Sequence, residues 1–259
     1  MTALVLEHVL VTGAAGAIGG ALARRMRVAW PSARLALLDR DTDALRTLAA
    51  ELGNASVHAV DLRELDKLPA VIDQVTAHAP LDGLINCAGI MHVKQLQTWK
   101  WEEAHDLVTI DLLAPLRLQD LVVRGMIDRK RGVIVNVASM AGKVPLKGAT
   151  YYGASKAGLA MASEIARADL APHGIRVVTV YPGPVRSQLE QGARDEWGGG
   201  GFIGRFAPLG EPDELARRIM KAIDDDEPRV IYPRLYGVGW SATNLSSWLS
   251  LSYGPSAVS

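Results

Sequence analysis

Val5-Leu6-Glu7-His8-Val9-Leu10-Val11-Thr12-Gly13-Ala14-Ala15-Gly16-Ala17-Ile18-Gly19 decides how the rest of the chain is read. The run Val5–Val11 predicts a strand, and it passes directly into a turn with glycine at 13, 16 and 19. Helical periodicity then runs from about Ala17 to Ala29. In that order, the free N–H groups and positive dipole end of the helix lie over the carboxyl end of the strand, where a pyrophosphate can bind. Gly13 permits the tight turn, Gly16 lets a phosphate approach the backbone, and Gly19 lets the helix pack on the sheet. Ala15, Ala17 and Ile18 complete this candidate cofactor turn. An ordinary strand–helix turn can carry the same glycines; the order of the elements favours the phosphate reading.

Working outward, the alternation repeats. Strands are expected at Leu35–Leu38, Val57–Val60, Gly83–Asn86, Val133–Ala138 and Ile175–Val180. Helices are expected from Asp43 to Leu52, Leu65–His78, Trp101–Ile127 and Ala149–Leu170. Pro115 should bend the third of these helices, and Pro172 with Gly174 should stop the fourth. Such alternation predicts an α/β fold, a parallel sheet of about seven strands with helices on both faces. With no repeat and no linker composition, residues 1–259 read as one domain. After Pro182-Gly183-Pro184 the pattern loosens. Residues 187–210 carry Gly198-Gly199-Gly200-Gly201 flanked by Trp197, Phe202 and Phe206, followed by a helix at Pro212–Ile223 and a last strand at Val230–Tyr232. The tail, 233–259, is apolar but uneven.

The composition excludes several classes. Of 259 residues, 49% are apolar and 22% charged, enough for a core and too little charge for disorder. Twenty-eight basic residues balance 28 acidic ones, so the footprint of a nucleic-acid binder is missing. The one cysteine, Cys87, rules out an internal disulfide framework and fits a reducing, cytoplasmic setting. No run of 18 apolar residues predicts a membrane span. The six histidines lack ligand spacing, and no metal site is expected.

Two further groups carry chemistry. Asp39, twenty residues past Gly19, ends the second strand, where a carboxylate can accept both ribose hydroxyls and repel a 2′-phosphate. That points to NAD, although the neighbouring Arg40 could pair with the extra phosphate of NADP; alternatively, Asp39 caps the next helix. Asp61, with Leu62, follows the third strand and is positioned either for the adenine edge or as a helix cap. Tyr152 and Lys156 lie four apart on one helix face, so the ammonium can stabilise the phenolate. An unperturbed tyrosine, with a pKa near 10, is a poor base at neutral pH. Tyr151 lacks this pairing, because Ser155 follows it at the same spacing.

With these residues in hand, the chain resembles the short-chain dehydrogenase/reductase family, in its single-domain branch of about 250 residues, from residue 1 to about 232. Asn86-Cys87-Ala88-Gly89 resembles the family's Asn-Asn-Ala-Gly motif. Asn136-Val137-Ala138-Ser139 matches its serine motif, and Tyr152-Gly153-Ala154-Ser155-Lys156 its Tyr-x-x-x-Lys motif. Pro182-Gly183-Pro184-Val185-Arg186-Ser187 resembles the segment that covers the nicotinamide. The resemblance implies a Rossmann-type doubly wound sheet and an NAD(P)-dependent exchange between a secondary alcohol and a ketone. It implies that Tyr152 moves the hydroxyl proton, Lys156 lowers its pKa and holds the nicotinamide ribose, and Ser139 bonds the substrate oxygen. Asn86, Ala88, Gly89, Pro182, Gly183, Val185 and Ser187 would line the cofactor. One departure stands out: Asp111 occupies the position of the family's catalytic asparagine. Its backbone carbonyl can still hold a relay water, and its carboxylate can alter the charge balance at Lys156.

The loop after Ser139 (Met140, Val144, Leu146), the segment Ile90–His92 and residues 187–210 should select a substrate, an apolar alcohol or ketone. The glycines of 187–210 read as a lid, with Trp197, Phe202 and Phe206 either closing over a ligand or anchoring the lid to the core. The family's habit of pairing through its long helices implies a homodimer or homotetramer. The tail could bury against a partner, touch a membrane or cover its own core, and self-association ranks first. A dinucleotide-binding sensor or accessory subunit is the alternative to an enzyme.

Overall fold

The structure, a computed structural model, describes residues 4–197, 208–241 and 243–253. Seven parallel strands form its sheet: β1 (His8–Thr12), β2 (Arg34–Asp39), β3 (Ala55–Ala59), β4 (Gly83–Asn86), β5 (Gly132–Val137), β6 (Ile175–Pro182) and β7 (Arg229–Tyr232). Their spatial order is β3-β2-β1-β4-β5-β6-β7. The order reverses between β1 and β4, and it is outside the carboxyl ends at such a switch point that open sheets of this kind bind ligands. Strand β1 starts later than its apolar run predicts. Side chains take the backbone groups just before it: Asp82 accepts from the Glu7 N–H at 2.9 Å, and Arg131 donates to the Val5 carbonyl at 2.6 Å.

Ten α-helices accompany the sheet among the described residues: α1 (Ala17–Ala29), α2 (Thr42–Leu52), α3 (Leu68–Thr76), α4 (Trp101–Val108), α5 (Ala114–Arg129), α6 (Thr150–Leu170), α7 (Gln188–Glu196), α8 (Pro212–Asp225), α9 (Tyr236–Ser241) and α10 (Thr243–Tyr253). Alternate strand residues feed opposite layers, as period-2 geometry requires. Val9, Val11, Leu35 and Leu37 face α1, α2 and α8 through Leu22, Leu45 and Ile219. Leu10, Leu38, Leu84 and Ile134 face α3 and α5 through Leu68, Ile72, Leu118 and Met126. The sheet is therefore covered on both sides, which explains why its strands read as nearly unbroken apolar runs.

Two helices differ from their sequence expectation. The helix expected at 65–78 opens as a 3-10 turn, Leu65–Lys67, and becomes α-helical at Leu68, where Pro69 fits the first turn. The helix expected at 101–127 is not merely bent. It is interrupted by a π-helical segment, Thr109–Leu113, in which the Ala114 N–H reaches the Thr109 carbonyl five residues back. Pro115 supplies the physical reason, since it lacks the N–H that would bond the Asp111 carbonyl four residues earlier.

Between β6 and α8 the chain leaves the sheet and returns to the point of departure. Val185 and Gly210 form a parallel bridge, the Arg186 N–H donates to the Gly210 carbonyl at 2.9 Å, and the Gly210 N–H donates to the Pro184 carbonyl at 2.9 Å. Within this excursion lies α7, a helix that its glycine-rich surroundings hide.

Candidate active site

The glycine turn has the shape that a pyrophosphate needs. Gly13 has φ +66, and a Cβ there would sit 2.7 Å from the Ala88 Cα; only glycine suits both the conformation and the space. A Cβ on Gly19 would lie 2.2 Å from the Gly13 carbonyl oxygen, so α1 can start this close to the turn only with glycine at 19. No side chain caps α1 at Gly16, and a bound anion could take its first-turn N–H groups. Thr12, whose role the sequence pattern does not reveal, fixes the floor. Its hydroxyl accepts from the Cys87 and Ala88 N–H groups at 3.1 and 3.2 Å and donates to the Ile85 carbonyl at 3.3 Å, tying the end of β1 to the end of β4. A hydroxyl at the last strand residue was the available signal. These features fit a dinucleotide.

Asp39 ends β2 beside the turn. One carboxylate oxygen accepts from the Ala15 N–H at 3.1 Å, the other from the Arg40 N–H at 2.7 Å. The cap of α2 is Asp41, which accepts from the Ala44 N–H at 3.0 Å, so the capping reading of Asp39 is corrected. Asp61 is not a helix cap either. Its carboxylate takes the Arg63 N–H at 3.0 Å and the Arg63 guanidinium, which holds its pKa below the usual carboxylate range, and Arg63 also reaches Asp106 at 3.0 Å. Leu62 is buried in the core beneath. Asn86 braces the sheet: its amide donates to Asn136 Oδ1 at 2.9 Å, and Asn136 in turn donates to Ser163 at 3.0 Å.

Ser139, Tyr152, Lys156 and Asp111 come together. Tyr152 and Lys156 are brought there by α6, Ser139 by the end of β5, and Asp111 by the π-helical segment. Tyr152 is 8% exposed and Lys156 4%, while Asp111 is fully buried. The Lys156 ammonium donates to the Val137 carbonyl at 3.2 Å, lies 3.4 Å from Asp111 Oδ2, and stands 5.9 Å from the centre of the Tyr152 ring. Asp111 Oδ1 accepts from the Ile90 N–H at 2.8 Å, whereas Oδ2 is buried without a hydrogen bond. Gly89 leaves room for this pair, since a Cβ there would sit 3.1 Å from Lys156 Nζ and 3.3 Å from Asp111 Oδ1.

The electrostatics modify the expectation from spacing. Burial pushes the Tyr152 phenol up; Lys156 pulls it down, but Asp111 adds to the rise, and the net direction is upward. Ser139 contributes a hydrogen bond in the lowering sense. Burial likewise raises the Asp111 carboxyl against the pull of Lys156. Burial opposes the Lys156 ammonium, yet Asp111 and Tyr152 outweigh it and hold its pKa above the ordinary value. The lysine thus acts on the tyrosine as its spacing predicts, but the aspartate offsets part of that action and burial outweighs the rest.

Of the Pro-Gly segment, Pro182 ends β6, Gly183 packs against the Tyr236 ring, and Val185 is buried at the neck of the excursion. Ser187 caps α7, accepting from the Glu190 N–H at 3.1 Å. Trp197 follows α7 as an anchor: its indole donates to the Lys147 carbonyl at 3.0 Å and packs with Val93 and Met91. Phe202 and Phe206, with the four glycines, lie outside the described residues. Burial pushes the Cys87 thiol up to about 12. In the tail, Trp240 packs edge-to-face on Tyr181 at 4.5 Å, so α9 covers this chain's own core. Farther on, Trp248, Leu249 and Leu251 are exposed. No helix among the described residues is long and apolar enough to cross a membrane.

The short chain dehydrogenase family pattern matches residues 7–197. The chain belongs to the short-chain dehydrogenase/reductase family and is an oxidoreductase of that family. It is 31% identical to the ketoacyl reductase HetN of Nostoc sp. over 89% of this chain and 80% of the relative. A short-chain dehydrogenase from Sphingobium yanoikuyae in complex with NADPH superposes with a TM-score of 0.79 at 28% identity, covering 95% of this chain and 96% of the other. A 3-oxoacyl-[acyl-carrier protein] reductase with bound NAD from Brucella melitensis gives 0.75 at 26% identity, over 87% and 89%. These neighbours hold a nicotinamide dinucleotide, of both kinds.

Proposed function

We propose that this chain interconverts a secondary alcohol and a ketone, with NAD as the preferred dinucleotide and Tyr152 as the proton-transfer group. The observation that carries the reading is the buried cluster of Ser139, Tyr152 and Lys156 at the mouth of the glycine-turn crevice. The dinucleotide, when bound, supplies the hydride acceptor or donor. Gly13, Gly16 and the first turn of α1 bind its pyrophosphate, and Asp39 takes the adenosine ribose hydroxyls while repelling a 2′-phosphate.

In the reductive direction, Ser139 donates a hydrogen bond to the substrate carbonyl oxygen and Tyr152 gives its phenolic proton to that oxygen. The phenolate left behind is stabilised by the Lys156 ammonium. A tyrosine at its ordinary pKa near 10 already carries its proton at neutral pH, and burial, with Asp111 adding to it, pushes the Tyr152 phenol further up. The names of several relatives, a ketoacyl reductase and 3-oxoacyl-[acyl-carrier-protein] reductases among them, support a reductase direction. The substrate is an apolar ketone of the 3-oxoacyl kind, which fits Met140, Val144 and Ile90 around the site.

Tyr152→Phe tests the reading. Removing the proton-transfer group should lower kcat by about 10²–10⁴-fold and leave NADH binding, read by fluorescence, unchanged. A Phe variant that reduces ketones at the wild-type rate would remove Tyr152 from proton transfer, and a wild type that binds NADH but turns over nothing in a ketone and alcohol panel would favour a sensor instead.

A further inference from the structure

The tail beyond β7 lies outside the matched family region, yet it reaches segments that bound the candidate site. Tyr236, the first residue of α9, lays its ring on Gly183: a Cβ on that glycine would meet Tyr236 Cε2 at 2.8 Å and Cζ at 3.0 Å. The same ring belongs to an apolar cluster with Ala138, Met140 and Val144, the residues immediately around Ser139. The Arg194 and Glu190 charges of α7 act on the Tyr236 phenol in opposite senses. One aromatic ring therefore packs on the Pro-Gly segment, shares a cluster with the residues flanking Ser139 and lies within the field of the α7 charges.

The ring is held in place by its own element. One turn on, Trp240 packs on Tyr181, with Lys143 4.8 Å and Arg229 5.8 Å from its ring centre. Arg229 and Tyr181 share Glu164, at 2.5 Å and 3.1 Å. Farther along, the Ser250 hydroxyl of α10 donates to the Pro145 carbonyl at 2.7 Å. Both tail helices are thus fastened to the 143–145 loop, and Tyr236 is the tail residue that also touches Gly183.

We propose that Tyr236 is a specificity-determining residue: its ring forms the tail-side wall of the substrate cleft and limits the size of the group carried by the carbonyl carbon. This rests on the reading of the site given above. A ring fixed by a rigid anchor sets a steric limit, whereas a loose one would yield to a larger ligand.

The test compares Tyr236→Ala, Tyr236→Leu and Tyr236→Phe on 2-butanone and acetophenone. The Ala and Leu variants should raise the acetophenone/2-butanone ratio of kcat/KM by at least about tenfold, the scale of one or more methylenes of pocket space; Phe should leave it near wild type. Leu retains enough packing to serve if the Ala variant melts early. Binding of 2-butanol and 1-phenylethanol to the protein with NADH, read by nucleotide fluorescence, gives the same ratio without turnover. A ratio unchanged in both the Ala and Leu variants overturns the inference. If the wild type turns over neither ketone but the binding ratio shifts as expected, the wall stands and the catalytic reading falls.

Discussion

Replacing Asp111 with asparagine removes a negative charge buried beside Lys156 while keeping an oxygen to accept the Ile90 N–H at 2.8 Å. The charge acts on Tyr152 through space. Asp111 Oδ2 is 3.4 Å from the ammonium and the ammonium 5.9 Å from the ring centre, so the carboxylate lies within about 9 Å of the ring. At an effective dielectric of about 20, charges that far apart interact by roughly 2 kcal/mol. With about 1.4 kcal/mol per pH unit, the phenol's pKa should fall by at least about one unit. Lys156 keeps its pull on the phenol as long as it stays protonated. Oxidation of a secondary alcohol requires the phenolate and so loses rate as pH drops through the phenol's pKa. The acidic limb of kcat/KM against pH should therefore move down by about one unit or more in D111N, with the thermal melt recorded alongside to exclude a folding defect. A limb that stays in place, or moves to higher pH, refutes the claim that Asp111 sets the proton affinity of Tyr152.

Three other outcomes follow from packing and charge. Asp39→Ser should shift the NADP/NAD ratio of kcat/KM upward by about tenfold or more, equivalent to about 1.4 kcal/mol; an unchanged ratio would remove Asp39 from cofactor choice. Gly19→Ala drives a Cβ to 2.2 Å from the Gly13 carbonyl, and the forced backbone shift should cost about 1–3 kcal/mol and weaken NADH binding, seen as a lower Tm and a higher Kd. Leu37→Ala, at a fully buried strand position, should cost about 2–5 kcal/mol in urea unfolding; a loss under about 1 kcal/mol would contradict close packing against α1 and α2.

Much of this architecture is legible in the chain because it is written in short-range patterns. The run Gly83–Asn86 coincides with β4, and the helix read at Ala149–Leu170 is α6 with one residue more at its start. What escapes depends on contacts distant in sequence or on chemistry hidden by composition. The start of α7 carries a capping signal, Ser187 followed by Glu190 three residues later, but the glycines nearby suggest a loop. Pro115 announces a bend, yet nothing local distinguishes a bend from a π-helical segment. The partial offset of Lys156 by Asp111 is only half legible: the substitution is visible, but its burial and its 3.4 Å approach belong to the tertiary structure. Likewise Trp240 gives no sign that its partner is Tyr181, nearly sixty residues earlier.

The pinned neck at Val185 and Gly210 gives the excursion between them a separate evolutionary life. Both ends leave and rejoin the sheet at one point, so the chain beyond the α7 and Trp197 anchorage can change in length without moving the strands. Doubling the length of such a segment costs only about 0.6 kcal/mol in closure entropy. A lineage could therefore lengthen, shorten or exchange this insert while the strands and the glycine turn stay untouched.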